Sequence, residues 1–503
     1  MREPAGIREQ PVRRAPAFKA LCAAAILLAF CQPGLAAQAS GHSRSSTASD
    51  TPPNILLIYV DDLGYGDLGS YGHGQIKTPH LDQLAREGVR LTNYYAPSAL
   101  CSPSRAGLLT GRHPYRTGID SWIPANSGKY LAREEITLAE LLKSAGYHSA
   151  LIGKWHLNSD LGSTEEPQPL DQGFDYFYGH NAFQIPTNKN PTNLYRNRQA
   201  LPAQTGYTAD LYADDAIRWL RLRRDTANKQ PFFLMLSMAE PHTSIENPEN
   251  WNARYRRFTQ GTISPIESGL AKPPKSRLIP RGPGEYYANV SYMDHQIGRV
   301  LKTIKKLRLE QNTLILFASD NGPVTSQWIN WWEVNAYGST GGLRGRKHMI
   351  FEGGIKVPAI VKYPGHVKPG SESAELIVGT DFYTTVAQFA KVEIPQDRII
   401  DGIDVSPALS GTTLPPRNLL WALEGQDAPP FAWREANWKL VLDANHSVKA
   451  LFDLTSDPLE LFNLSNSETH RTTEMRRRFL KALNDLKGDP LRHLAGQGPV
   501  TPE

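Results

Sequence analysis

The chain has 503 residues, 40% of them hydrophobic, with 55 Lys and Arg against 50 Asp and Glu and only three Cys. That length suffices for one large α/β domain with a smaller unit, or for two or three domains. The formal charge of +5 is concentrated at the start: the first 39 residues hold five Lys/Arg and two Glu, which leaves about +2 on the rest and no argument for a nucleic-acid partner.

Arg2, Arg8, Arg13, Arg14 and Lys19 make a basic opening, residues 21–30 are nearly all apolar, and Ala37-Gln38-Ala39 is a cleavage pattern. Residues 1–39 therefore read as a secretory signal peptide, which places the remainder in a periplasm or outside the cell. The pattern around Arg13-Arg14 is poor for twin-arginine export, and Phe30 is unsuited to precede a lipid-anchored Cys31. No stretch reaches the ~18 apolar residues of a membrane span. With Cys22 and Cys31 in the signal, Cys101 is left as a single thiol without an internal disulfide partner. Residues 40–53, rich in Ser and Thr, read as a flexible linker.

From there the pattern predicts alternating strands and helices. Residues 54–60 are a continuous apolar run followed by Asp-Asp-Leu-Gly, the mark of a buried parallel strand. A helix over 137–145 stops at Gly146, and a strand follows over 147–152. A helix over 207–224 shows Ala213, Ile217 and Leu220 on one face. Strand 232–237, helix 286–307 and strand 313–318 complete a layered α/β domain over 54–414. Beyond it, short strands over 419–424, 438–442 and 448–452 and a helix over 472–487 predict a small antiparallel sheet with one helix, an α+β subdomain over 415–503.

Two strands end alike, one in Asp61-Asp62 and one in Asp320-Asn321-Gly322. Ligands of open parallel sheets bind beyond the carboxyl ends of strands. If the two strands are neighbours, three carboxylates and an amide converge there and need a cation, and an all-oxygen set suits Ca²⁺, with Mg²⁺ the second choice, rather than Zn²⁺. Lys154 and His156 alternate about Trp155 just past the 147–152 strand and share a face if the chain continues extended. His242, in Ala239-Glu240-Pro241-His242, also follows a buried strand. Residues 343–358 form a basic, glycine-rich loop that contains Lys347. Trp328, Trp331, Trp332 and Tyr337 lie between Asp320-Asn321 and Lys347, in position to line a pocket and stack on a sugar or aryl ring.

The run Cys101-Ser102-Pro103-Ser104-Arg105-Ala106-Gly107-Leu108-Leu109-Thr110-Gly111-Arg112 resembles the first signature of the type I sulfatases. Gly153-Lys154-Trp155-His156-Leu157 resembles the second, and the Pro241-His242 and Arg346-Lys347 segments have counterparts there. The similarity runs from about Asn54 to Asn463, and its flanks resemble the arylsulfatase A and N-acetylgalactosamine-6-sulfatase branch. It implies the alkaline-phosphatase-superfamily sandwich: a large central mixed sheet flanked by helices, with a small C-terminal sheet. It also implies a separate maturation enzyme that oxidises Cys101 to formylglycine. Asp61, Asp62, Asp320, Asn321 and the modified Cys101 would hold the metal. Arg105 would help activate the hydrated aldehyde, which attacks sulfur to give a covalent sulfo-formylglycine, and His156 would assist its breakdown. Lys154, His242 and Lys347 would contact the sulfate and the leaving oxygen, with Trp331 and Trp332 against the substrate ring. The expected substrate is a sulfated carbohydrate, with small aryl sulfates also turned over as artificial substrates. Two rival readings stay open: a phosphatase or phosphonate monoester hydrolase of the same superfamily, and a catalytically dead protein that binds sulfated glycans.

Overall fold

Every residue of strand Asn54–Val60 beyond Asn54 is buried, and the strand partitions its side chains between two cores. Ile55, Leu57 and Tyr59 enter one apolar cluster, and Leu56, Ile58 and Val60 enter the other, as the period of two dictates for a strand covered on both faces. Thr313–Ser319 does the same, sending Leu314, Leu316 and Ala318 to one side and Ile315 and Phe317 to the other. This computed structural model describes residues 51–225, 230–261, 266–267, 282–324, 334–423 and 428–496. Residues 1–50, which hold the expected signal peptide and most of the expected linker, and Trp328, Trp331 and Trp332 lie outside the described residues.

The main sheet has ten strands in the order Ser371–Ser373, Val89–Leu91, Ala359–Lys362, Thr313–Ser319, Asn54–Val60, Phe232–Ser237, His148–Lys154, Tyr176–His180, Tyr195–Arg196 and Gln199–Ala200. The five from Thr313–Ser319 to Tyr176–His180 are mutually parallel, so their carboxyl ends share one edge. Antiparallel pairing on both sides of this block makes the sheet mixed. Helices Thr208–Asp225 and Gly284–Lys306 supply Ala213, Ile217, Leu220, Val290, Met293 and Ile297 to one face. Helices Cys101–Thr110, Leu138–Ser144 and Asp381–Ala390 cover the other with Ala106, Leu109, Leu138, Phe382 and Val386.

The C-terminal strands Asn418–Ala422, Phe431–Glu435, Trp438–Leu442 and Val448–Asp453 form a separate antiparallel sheet. Helix Thr469–Lys487 packs Met475, Phe479 and Leu483 on one of its faces. The other face meets Tyr95, Leu100, Met349, Phe351 and Ile355. The small sheet thus braces the residue before Cys101 and the segment after Lys347. Among the described residues, no helix is long and apolar enough to cross a membrane.

Several boundaries differ from the sequence expectation. The strand expected over 147–152 runs on to Lys154, because Gly153 adopts φ +118° and leaves room for the Ser237 carbonyl, 1.7 Å from where a Cβ would stand. The short helix Cys101–Thr110 and the strands Tyr176–His180 and Phe431–Glu435 carry little period of their own and were not foreseen.

Candidate active site

The strand pair Asn54–Val60 and Thr313–Ser319 is in register to its last residues, Val60 opposite Ser319, and the Asp320 amide donates to the Val60 carbonyl. The two acidic endings therefore meet, the condition on which the sequence reading of a shared carboxylate cluster depended. Asp62 sits at φ +67°, a left-handed turn that Asp tolerates better than most residues. Its amide donates to Asp320 Oδ1 at 3.2 Å, and Asn321 Nδ2 donates to Asp62 Oδ1 at 2.7 Å.

Cys101 opens its helix, with Pro103 in the first turn where a missing N–H costs nothing. All ten residues of that helix are buried, and Gly111 at φ +68° ends it by returning its amide to the Gly107 carbonyl. Arg105, one turn after Cys101, donates to Asp320 Oδ2 at 2.8 Å, to Ser237 Oγ at 2.7 Å and to the Lys154 carbonyl at 3.2 Å. Lys154 ends its strand and places Nζ 2.6 Å from Asp61 Oδ2. Lys347 places Nζ 2.6 Å from Asp62 Oδ1 and 3.2 Å from Cys101 Sγ. The 343–347 loop is no mobile surface: Arg346 and Lys347 are buried, and the Lys347 amide donates to the Pro323 carbonyl. Three buried carboxylates thus face three buried cations, each within contact of an opposite charge.

The electrostatics follow from burial and these pairs. Burial opposes ionisation of Asp61, yet Lys154, His242 and Arg105 hold its carboxyl well below the usual range. Burial and the neighbouring Asp61 push Asp320 the other way. Burial also pushes the Cys101 thiol up to about 12, against the pull of Lys154 and Lys347. The unmodified thiol is therefore protonated at neutral pH and a poor nucleophile.

The two histidines have defined orientations. His156 Nε2 lies 3.1 Å from the Ile123 carbonyl, which can only accept, so Nε2 carries the proton. Its Nδ1 is buried without a partner. Burial, then Lys154 and Arg105, lowers its pKa well below 6.5, so the ring is neutral with a free lone pair. His156 adopts φ +58°, so the extended continuation expected from Lys154 to His156 is broken: Trp155 pairs with the His180 carbonyl and the chain then turns. Both side chains still reach the site. His242 donates from Nδ1 to the Thr243 carbonyl at 2.8 Å, which leaves Nε2 facing Asp62 Oδ2 at 3.7 Å.

The residues fit a bound cation. Asp62 Oδ2 and Asn321 Oδ1 are buried with no hydrogen-bond partner, an arrangement that costs about 1–3 kcal/mol per group unless something fills it. Ligand atoms of Asp61, Asp62, Cys101 and His242 all lie within 4.8 Å of one another. Asp320 stands slightly apart, its oxygens turned to Arg105 and to the Asp62 amide.

Sequence reasoning missed Ser237, whose hydroxyl links Arg105 to the Lys154 carbonyl. It also missed His180, opposite Lys154 in the sheet, and Phe183 beyond it. Only position at a strand's carboxyl end signals them.

The sulfatase family profile matches residues 53–392. The chain belongs to the sulfatase family. A second profile, N-sulphoglucosamine sulphohydrolase C-terminal, matches residues 345–489. Steryl-sulfatase of Mus musculus is 36% identical over 72% of this chain and 65% of that protein, slightly less than two thirds of its length. Arylsulfatase A of Bos taurus is 34% identical over 84% of this chain and 85% of its own. N-acetylgalactosamine-6-sulfatase of Canis lupus familiaris is 32% identical over 74% and 68%. Among solved structures, Ps i-CgsB in complex with k-i-k-neocarrahexaose superposes with a TM-score of 0.73 at 25% identity, covering 89% of this chain and 96% of that one. Fold, family and reaction class agree: this sulfatase is a sulfuric ester hydrolase built on a large mixed sheet covered by helices, with a small C-terminal antiparallel sheet.

Proposed function

We propose that this sulfatase is exported and hydrolyses sulfate monoesters of carbohydrates, and also of small aryl alcohols, to the alcohol and inorganic sulfate. In this reading a maturation enzyme converts Cys101 to formylglycine, and Asp61, Asp62, Asp320, Asn321 and the modified Cys101 hold Ca²⁺. The observation that carries it is the Lys347 ammonium between Asp62 and Cys101, inside a nest that also holds Lys154 and Arg105. Three carboxylates against three cations leave no net charge. A divalent ion would leave about +2 in a buried site, which favours an anionic ester.

An aldehyde at position 101 would, once hydrated, supply the nucleophilic oxygen that a buried, protonated thiol does not, and a bound cation would supply positive charge. The remaining work falls to the chain's own side chains. Lys154, Lys347 and Arg105 offset charge on the sulfuryl oxygens as the S–O bond to the alcohol breaks. His242 Nε2 faces Asp62, and because Nδ1 holds the proton of the neutral ring, it gives a proton to the leaving oxygen only from the doubly protonated imidazolium. His156 Nδ1, buried and free, is placed to take a proton as sulfate departs and the aldehyde is restored. Ser237 and Asp320 keep the Arg105 guanidinium in its plane.

Support for a carbohydrate substrate comes from the N-acetylgalactosamine-6-sulfatase relative and from the bound neocarrahexaose of the structural neighbour. The phosphatase reading is not favoured, because the curated relatives above are sulfatases. Release of inorganic sulfate from a panel of sulfated monosaccharides and 4-nitrophenyl sulfate, read by ion chromatography, tests the assignment. Faster release of phosphate from 4-nitrophenyl phosphate would refute it.

A further inference from the structure

Large apolar side chains standing in solvent are few among the described residues, and three of the eight, Trp122, Phe183 and Ile185, come from two segments bordering the site. Trp122 is 38% and Phe183 43% exposed. Their rings meet edge to face with centroids 6.4 Å apart. Phe183 also lies 5.4 Å from the His242 ring and 6.2 Å from the His156 ring, and Lys154 Nζ is 5.8 Å from its centroid. The Phe183 ring therefore lies against His242, His156 and Lys154 while the residue stays 43% exposed.

The pair is held rather than loose. The Phe183 carbonyl accepts from Asn193 Nδ2 at 2.7 Å, and Asn193 Oδ1 accepts from the Ile185 amide at 2.9 Å. Two residues before Phe183, Asn181 spans back to the catalytic turn, its Oδ1 accepting from the His156 amide and its Nδ2 donating to the Asn158 carbonyl. Trp122 precedes Ile123, whose amide donates to Ser102 Oγ and whose carbonyl accepts from His156. Both rings are thus tied, through one or two residues, to Cys101's neighbour and to His156. An exposed apolar patch pinned by polar contacts beside a charged site marks a ligand surface.

We propose, building on the sulfate-ester reading above, that Phe183 and Trp122 form the platform for the ring that carries the ester oxygen. His242 borders both the sulfate nest and the Phe183 ring. A leaving oxygen on the His242 side of the nest therefore puts its own ring against Phe183, with Trp122 beyond it. The chemistry recognised is a flat ring with an apolar face, either the C–H face of a pyranose or an aryl ring. Inorganic sulfate fills the charged nest and does not reach the platform. Trp122 and Phe183 are thus specificity-determining residues.

The test is titration calorimetry on Cys101→Ala protein, which binds without turnover, with N-acetylgalactosamine 6-sulfate, 4-nitrophenyl sulfate and inorganic sulfate. Adding Phe183→Ala weakens at least one ring ester about tenfold, and Trp122→Ala weakens the same ester severalfold. Inorganic sulfate stays within about twofold, and Phe183→Tyr restores ester binding. Which ester suffers the loss distinguishes a sugar platform from an aryl one. Equal weakening of sulfate and ester would overturn the proposal and make Phe183 a prop for His242, and so would ester binding that ignores both substitutions. Parent protein that binds 4-nitrophenyl phosphate in place of the sulfates, and loses it on Phe183→Ala, would keep the platform while sinking the sulfate reading.

Discussion

Lys347 Nζ lies 3.2 Å from Cys101 Sγ, although 246 residues separate the two in the chain. The contact exists because the loop carrying Lys347 is clamped on both sides. The Lys347 amide donates to the Pro323 carbonyl, and the next residue, His348, donates to the Ala99 carbonyl. The ammonium then has nowhere to go but between Cys101 and Asp62. In the proposed reaction it sits beside the atom that attacks sulfur.

Lys347→Met removes that charge with similar bulk. The expected result is a loss in kcat/KM of about 10²–10³ on any sulfate ester the wild type turns over. Steady-state kinetics checks this, and a loss below threefold would remove Lys347 from the charge-stabilising set.

Cation binding predicts a second outcome. Exhaustive chelation should lower the melting temperature and abolish activity, and Ca²⁺ should restore both. An ion at one hundred times its Kd stabilises by about 2.7 kcal/mol. Asp320→Ala and Asp62→Asn should lose metal, counted by elemental mass spectrometry, together with rate. Unchanged melting and turnover after metal stripping would contradict the site.

How much of this was legible beforehand depends on the kind of signal. The Asn54–Val60 and Thr313–Ser319 strands announced themselves because strands buried on both faces are unbroken apolar runs. Their polar endings then located Asp61, Asp62, Asp320 and Asn321. The order of strands was not readable, since parallel register is fixed by packing between distant segments rather than by local pattern. His156 shows the same limit on a smaller scale: alternation with Lys154 implied an extended geometry that the chain does not adopt, because a left-handed φ at His leaves no trace in the sequence. Phe183 and Trp122 were passed over because a single exposed aromatic has no period at all.

The neutral state of His156 makes a pH prediction. Burial, then Lys154 and Arg105, depresses its folded pKa well below 6.5. Below about pH 6.5 the unfolded chain binds a proton there that the native chain refuses, so stability drops as pH falls from that value. His156→Gln should flatten this part of the profile. Melting temperatures of both proteins between pH 7.5 and 5 give the comparison; parallel curves would show that His156 is protonated in the fold.

The small sheet should matter to the site through Lys439. Its buried ammonium lies 2.9 Å from both Glu352 and Glu460, and Glu460 Oε2 accepts from the Glu352 amide. Against burial, Lys439 and Arg434 keep the Glu352 carboxyl low. Lys439→Met strands two buried carboxylates and should cost about 3–5 kcal/mol in urea unfolding. The lesion should also slow turnover, because the Glu352 turn sets Gly353 against Gly322, next to Asn321. A change under about 1 kcal/mol would mean that apolar packing alone joins the two sheets.

The most direct test compares hydrolysis of 4-nitrophenyl sulfate by protein co-expressed with a formylglycine-generating enzyme with that by its Cys101→Ala counterpart, while peptide mass reports the state of position 101. The account predicts turnover that accompanies the aldehyde and vanishes in Cys101→Ala. Equal turnover by the two proteins would contradict it.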